Sequence, residues 1–270
     1  MVWTKNVSRE TASEYRDSLT ESLVGQYSDY SEQYPVVNSI ALDRSSFLLD
    51  AGCGTGRFLA HTAPGQRFVG VDLSLEMLKA AKRDLGRGYF VVGELEHLPF
   101  EDQKFDQIIS VRVLQHVANQ AEALNELSRV CQLGGGVVVL CLNSWTLHCV
   151  YKNIRMSRLG KVIDLPFQLL LGNRSMFSKW PYPYDSYCSM PELCHLFEQA
   201  GLMVEERKGG TLGAPWFFSY FYVGRIMERV APILLRVFFR ICFFVEKRLA
   251  SVFPFKYLMD KIIVRGIRQQ

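Results

Sequence analysis

The residues best suited to hold a small ligand lie at 50–56, where the apolar run Phe47-Leu48-Leu49 ends in Asp50 and leads into Gly52, Gly54 and Gly56. Glycines at this alternate spacing permit positive φ and remove the Cβ atoms that would keep a ligand off the backbone. A helix that starts after such a turn aims its free N–H groups at the same point. The third glycine falls one residue earlier than in the dinucleotide fingerprint, and a carboxylate beside the turn would repel an anionic pyrophosphate. Asp50 suits a cationic ligand instead. A second acidic strand end, Asp72, follows Arg67 to Val71. It stands about twenty residues after the first, the spacing at which a βαβ unit sets a carboxylate against ribose hydroxyls. Asp72 is equally placed to cap the helix Ser74 to Leu85, where short acidic residues are favoured. His116, just past the apolar run Phe105 to Ser110, falls at the carboxyl edge of the expected sheet, where ligands bind in such folds. It is the candidate proton acceptor, with packing beside the ligand as the alternative role.

The elements that must position these residues alternate regularly. Strands are expected from Phe47, and at Arg67–Val71, Tyr89–Val92, Phe105–Ser110, Val137–Leu142, Leu202–Arg207 and Lys261–Ile267. Helices at Ser74–Leu85, Ala121–Val130 and Met190–Ala200 separate them, which implies parallel pairing with helices on both faces of the sheet. Ser189 with Glu192 forms a capping box at the start of the last helix, and Gly201 ends it. Gly134-Gly135-Gly136 reads as the C-cap turn of the helix before it. Ahead of the sheet, two short helices are expected, one carrying Tyr15, Leu19 and Leu23, the other Tyr27, Tyr30 and Tyr34.

Composition narrows the function classes. At 270 residues the chain accommodates one α/β core with one or two insertions, and a second independent domain is not required. Its seven cysteines are scattered singly and no secretory signal precedes them, so neither a zinc site nor a disulfide framework is expected, and a reducing cytoplasm fits. A net charge of +4 is too small to imply nucleic-acid binding.

At these residues the chain resembles the class I S-adenosylmethionine-dependent methyltransferases, especially the methyltransferase type 11 group related to quinone-biosynthesis enzymes. The resemblance covers Ser46 to Leu142. It implies a Rossmann-like, doubly wound seven-stranded α/β sheet whose last strand is antiparallel, under an N-terminal helical lid (residues 1–45). It also implies S-adenosylmethionine as cofactor, S-adenosylhomocysteine as product, and no metal. The cofactor residues it implies are Asp50, Gly52, Gly54, Gly56, Asp72, Leu73, Met77, Glu94, Leu95, Val111 and His116. Among these, Glu94 takes the position facing the adenine amino group, Leu95 offers the next backbone N–H, and Val111 opens the segment beside the methionine part. Many relatives have aspartate where Glu94 stands. After the core come a substrate-pocket insertion (143–188), a core helix and strand (189–208), a second insertion (209–260) and the closing strand (261–270). Tyr182, Tyr184 and Tyr187 are the candidate acceptor-lining residues, held extended by Pro181 and Pro183. A cyclisation or aminopropyl transfer with the same cofactor, or an accessory protein that binds it without transfer, are the rival readings.

The second insertion departs from the common core. Val223 to Leu249 is heavily apolar but crossed by Arg225, Arg229, Arg236, Arg240, Lys247 and Arg248. On a helical projection the first five fall within an arc of roughly 60°. A membrane span needs about twenty predominantly apolar residues with few charges, and these cations recur too often for one. A helix lying in the interface of an anionic membrane fits better, kinked or split at Pro232. The alternative is a helical pair buried against the core or in a homodimer interface. The expected substrate is a small apolar or lipid-linked acceptor, methylated at oxygen or carbon.

Overall fold

The computed structural model describes residues 17, 20–40, 45–146, 149, 186–210, 227 and 229–269. Seven strands make one sheet: β1 (Phe47–Ala51), β2 (Arg67–Asp72), β3 (Tyr89–Val92), β4 (Phe105–Val111), β5 (Cys131–Leu142), β6 (Leu202–Gly209) and β7 (Lys261–Arg268), in the spatial order β3-β2-β1-β4-β5-β7-β6. The pairs β1–β2, β1–β4, β2–β3 and β4–β5 are parallel, whereas β7 runs antiparallel to both β5 and β6. The order reverses at β1, so the ends of β1 and β4 flank the crevice in which doubly wound sheets bind ligands. The apolar residues Phe47, Leu48 and Leu49 of β1 and Ile108 and Ile109 of β4 suit strands covered on two faces.

Helices cover the two faces. Leu124 and Leu127 of α3 (Gln120–Val130), with Leu193 and Phe197 of α4 (Met190–Gln199), pack on one face with Leu49, Ile108 and Val139. Leu78 of α2 (Leu75–Leu85) and Val36 of α1 (Leu23–Ser39) close the other, over Leu48, Ile109, Val138 and Ile263. Each of these four helices starts where a side chain accepts from an orphan N–H: Ser22, Ser74, Asn119 and Ser189 occupy the N-caps, and the Ser189–Glu192 capping box is complete.

Two expectations change. Leu23 does not belong to a separate helix before Tyr27. The Ser22 cap starts a single helix there, and it runs through Tyr27, Tyr30 and Tyr34 and continues past Pro35; Tyr15 and Leu19 lie outside the described residues. The three glycines at 134–136 do not cap α3, whose C-cap is Cys131 in extended conformation. The chain passes directly into β5, and the residues between the Phe105–Cys131 and Gln107–Gly136 pairs bulge out of the ladder with Gly134 at φ +76°. Of the two outcomes expected at Pro232, a kink or a split, the structure shows the split: Ala231 leaves the helical region, and Pro232 opens α5 (Pro232–Leu249) as its first residue, where its missing N–H costs nothing. A short α6 (Phe255–Leu258) then leads into β7. Among the described residues no helix is long and apolar enough to cross a membrane.

Candidate cofactor and acceptor site

The three glycines after β1 answer to three different demands. All have positive φ. A Cβ on Gly52 would meet Val113 Cγ2 at 2.1 Å, and one on Gly56 would meet Leu85 at 2.8 Å, so these two let the segment after β4 and helix α2 approach. Among the described residues, a Cβ on Gly54 would meet nothing within 4 Å. Gly54 therefore leaves a bare stretch of left-handed backbone facing open space, the place where a ligand can touch the main chain.

Two carboxylates frame that opening. Asp72 braces the turn: its Oδ2 accepts from Gly54 N and its Oδ1 from Ser74 N, both at 2.9 Å. It thus does the work expected of a helix-entry residue and sits against the cofactor turn as well. Burial pushes its carboxyl up, opposed by the backbone N–H groups of Ser74, Gly54 and Leu73. Asp50 is 1% exposed, and its Oδ2 has no hydrogen-bond partner among the described residues. Burial drives its carboxyl up to about 7, partly offset by the Arg57 guanidinium and reinforced by Asp72. A buried carboxylate oxygen with no partner, at the mouth of a glycine turn, fits a cationic group and disfavours an anionic one. S-adenosylmethionine carries an ammonium and a sulfonium, so this donor set fits it.

The remaining expected residues gather at the same edge, with distinctions. Leu73 and Met77 flank the Ser74 cap, half-buried. Glu94 is half-buried in a tight turn closed by His97 N to its carbonyl, whereas Leu95 points into the core. It is the next carboxylate, Glu96, that turns inward and accepts from Ala118 N at 2.9 Å, tying the loop after β3 to the segment after β4. Val111 is buried at the end of β4. His116 is half-buried, with its Nε2 3.4 Å from Gln115 Nε2. Gln115 Oε1 accepts from Leu142 N, which fixes the amide orientation and makes His116 Nε2 the acceptor in this contact. Ser186 N donates to the Gln115 carbonyl at 2.9 Å, so the end of the first insertion returns beside His116 and brings Tyr187 there. Tyr182, Tyr184 and Arg225 lie outside the described residues.

Sequence reasoning missed the charged group that joins α1 to this edge. Glu32 is fully buried and meets Lys261 at 2.7 Å, Arg112 at 3.5 Å and the guanidinium of Arg57, which also holds Asp29 at 2.5 Å. Burial alone would raise the Glu32 carboxyl, but Lys261, Arg57 and Arg112 together hold it well below the usual carboxylate range. Asp29 and Glu32 at i, i+3 on one helix face were visible in the sequence as a pair, but their partners were not.

Asp72→Ala is expected to weaken S-adenosylhomocysteine binding by about 1 to 3 kcal/mol, the cost of losing hydrogen bonds to a carboxylate. Asp72→Asn keeps one acceptor oxygen for the turn and separates bracing from ligand contact. Unchanged affinity in both variants by calorimetry would remove Asp72 from the site.

Comparison with known proteins agrees with this geometry. A family profile described as a methyltransferase domain matches residues 49–139. A malonyl-[acyl-carrier protein] O-methyltransferase of Erwinia billingiae is 37% identical over 120 residues, covering 44% of this chain and 45% of that protein. A demethylmenaquinone methyltransferase of Roseiflexus castenholzii is 40% identical over 97 residues, 34% of this chain and 41% of that protein. The chain thus matches less than half the length of these curated relatives. A solved S-adenosylmethionine-dependent methyltransferase from Thermotoga maritima superposes with a TM-score of 0.62 at 20% identity, covering both chains fully. The glycine turn with its two carboxylates, the matched segment and the β3-β2-β1-β4-β5-β7-β6 sheet agree, and residues 49–139 carry a methyltransferase domain of the class I S-adenosylmethionine-dependent type.

Proposed function

We propose that this protein methylates a small apolar or lipid-linked acceptor, at oxygen or carbon, at a cytoplasmic membrane surface. The observation that carries the cofactor half of this reading is the unpartnered Asp50 oxygen beside the open Gly54 backbone. When bound, S-adenosylmethionine supplies an electrophilic methyl group for in-line displacement. The chain has three tasks around it. Asp50 and Asp72 hold the cofactor at the carboxyl edge, with Leu73, Met77, Glu94 and Leu95 along its adenosine side and Val111 at the methionine side. The segment Arg112 to Val117 and the end of the first insertion, including Tyr187, bring the acceptor within about 3 to 3.5 Å of the reacting carbon and exclude water. His116 borders the acceptor as an orienting group, because a proton on its Nε2 would face the Gln115 amide N–H. An activated carbon acceptor needs no strong base. The relatives named for malonyl-[acyl-carrier protein] and for demethylmenaquinone support a small acyl or quinone acceptor. The exposed apolar and basic face of α5, with Arg236, Arg240 and Lys247, and Arg229 just ahead of it, supports membrane contact.

Calorimetric titration with S-adenosylhomocysteine is the first test, with micromolar affinity as the expected result. Methyl-labelled S-adenosylmethionine offered with a total lipid and quinone extract should then yield label in the organic phase. No binding would overturn the cofactor assignment. Binding without transfer to any extract would overturn the apolar acceptor.

A further inference from the structure

Helix α5 is divided into three sectors. On a projection at about 100° per residue, Leu235, Phe239, Cys242, Phe243 and Glu246 share one side. These residues are buried or half-buried against α1. Arg236, Arg240 and Lys247 form a strip about 40° wide beside it. The remaining sector faces outward and is apolar except for Arg248 near its C-terminal end, whose guanidinium lies over the Phe244 ring: Ile233 is 74% exposed and Leu234 66%, with Val237, Ile241 and Phe244 also exposed. Beyond the helix, Phe253 is 77% exposed, and Val252, Phe255 and Leu258 extend the same surface.

The charges identify what covers this face. Between residues 229 and 259 stand six cations, Arg229, Arg236, Arg240, Lys247, Arg248 and Lys256, and one carboxylate, Glu246. That carboxylate is turned inward, 2% exposed, and accepts from the Tyr27 hydroxyl at 2.5 Å. Every exposed ionic group of the segment is therefore positive. A second copy of this chain would set one basic strip against another. A polyanionic surface with an apolar interior, the headgroup region of an anionic bilayer, matches both sectors at once.

The inner sector gives the contact a consequence at the cofactor turn. Leu235 and Phe239 form a small core of their own with Val24 and Tyr27, separate from the two cores of the sheet. The Tyr27 and Phe239 rings stack with centroids 4.4 Å apart, and Phe243 packs against Tyr30 and Tyr34. The opposite side of the same helix carries Asp29 and Glu32 to Arg57, the residue next to Gly56. One rigid helix thus touches the outer helix on one side and the cofactor turn on the other. We infer that α5 docks on anionic bilayers through its outward sector and that docking tightens cofactor binding by holding α1 against the turn. The inference rests on the cofactor and membrane reading above. By whatever factor the bilayer tightens cofactor binding, the cofactor tightens bilayer binding, since coupling between two binding events is reciprocal.

The test uses the whole chain with vesicles of phosphatidylcholine, with and without phosphatidylserine. Wild type should sediment only with the anionic vesicles, and the double variant Arg236→Glu, Arg240→Glu should lose about tenfold or more of that partitioning. In the presence of anionic vesicles, S-adenosylhomocysteine affinity should rise about fivefold or more. Tyr27→Phe, checked for folding by circular dichroism, should sediment like wild type but lose most of that gain, because the hydroxyl link to Glu246 is gone. Glu246→Gln, which keeps an acceptor for Tyr27, should retain it. Failure of wild type to sediment would overturn the membrane reading, and a dimer by light scattering in that case would assign the face to a second copy. Sedimentation with unchanged ligand affinity would overturn the coupling alone, and a full gain in Tyr27→Phe would overturn its route. Absence of ligand binding under every condition would remove the cofactor reading and the coupling with it.

Discussion

Glu32→Gln is expected to lower the free energy of unfolding by about 3 to 5 kcal/mol, the scale for breaking a buried ion pair from one side. The side chain is fully buried and serves three cations drawn from the cofactor turn, the end of β4 and the start of β7. The amide cannot balance them. Arg57 keeps Asp29, but Lys261, itself buried, loses its 2.7 Å partner. Urea denaturation should show the loss at unchanged m-value if α1 stays folded on the sheet, and a reduced m-value if it detaches beforehand. A change below about 1 kcal/mol would place the pair in the range of exposed ion pairs and refute its role as the anchor of α1. Because the folded carboxyl lies below its unfolded value, this stabilisation is present above the ordinary carboxylate range and is lost only in strong acid. The anchor is therefore intact throughout the pH 5 to 7 window.

In that window Asp50 should govern cofactor affinity. Its folded carboxyl is raised to about 7, so without ligand the folded chain keeps a proton that the unfolded chain sheds near pH 4. This group's contribution to folding therefore falls as pH rises from about 4 to 7. A cationic ligand beside the unpartnered oxygen favours the ionised form and lowers that value. Binding below pH 7 must then release the proton, and affinity should climb with pH by up to about tenfold per unit, levelling off above 7. Calorimetry of S-adenosylhomocysteine in two buffers of different ionisation enthalpy at pH 6 should count close to one proton released. Asp50→Asn should release none and bind weakly at every pH. Wild-type affinity that stays flat between pH 5.5 and 7.5 would show that Asp50 does not face the ligand's charge, and the raised carboxyl would then reflect burial alone.

The candidate cofactor edge was legible as strand ends, turn and caps because each of its parts is a local pattern. The acid and glycine spacing after β1, the acid at the end of β2 and the capping box at Ser189 are set by neighbours a few residues away, and the structure places all three as expected. Errors arose where two local rules competed. Gly134-Gly135-Gly136 satisfies the preference for glycine after a helix, but pairing of Cys131 with Phe105 draws the chain into the ladder earlier and leaves those glycines to form a bulge. The aromatic residues at 27, 30 and 34 were recognised as a helix, yet the Ser22 cap that begins it was overlooked, so Leu23 was assigned elsewhere. The Glu32 cluster was beyond any local reading. Its members stand as far apart as residues 32 and 261, and only the sheet order, with β7 inserted between β5 and β6, brings them together.

Where the second insertion leaves and rejoins the sheet, Gly209 N donates to Ala250 O and Gly210 N to Lys261 O, each at 2.7 Å, while Gly209 pairs with Ile262 across the ladder. Its two ends are thus rungs of one hairpin. A segment closed in this way can lengthen, shorten or be replaced without shifting the register of β6 or β7, since the entropy of closing a longer loop grows only slowly with its length. The sheet and its glycine turn are then a constant chassis, and the outer helix an exchangeable fitting. A lineage could carry one catalytic core to a new surface by trading this excursion alone.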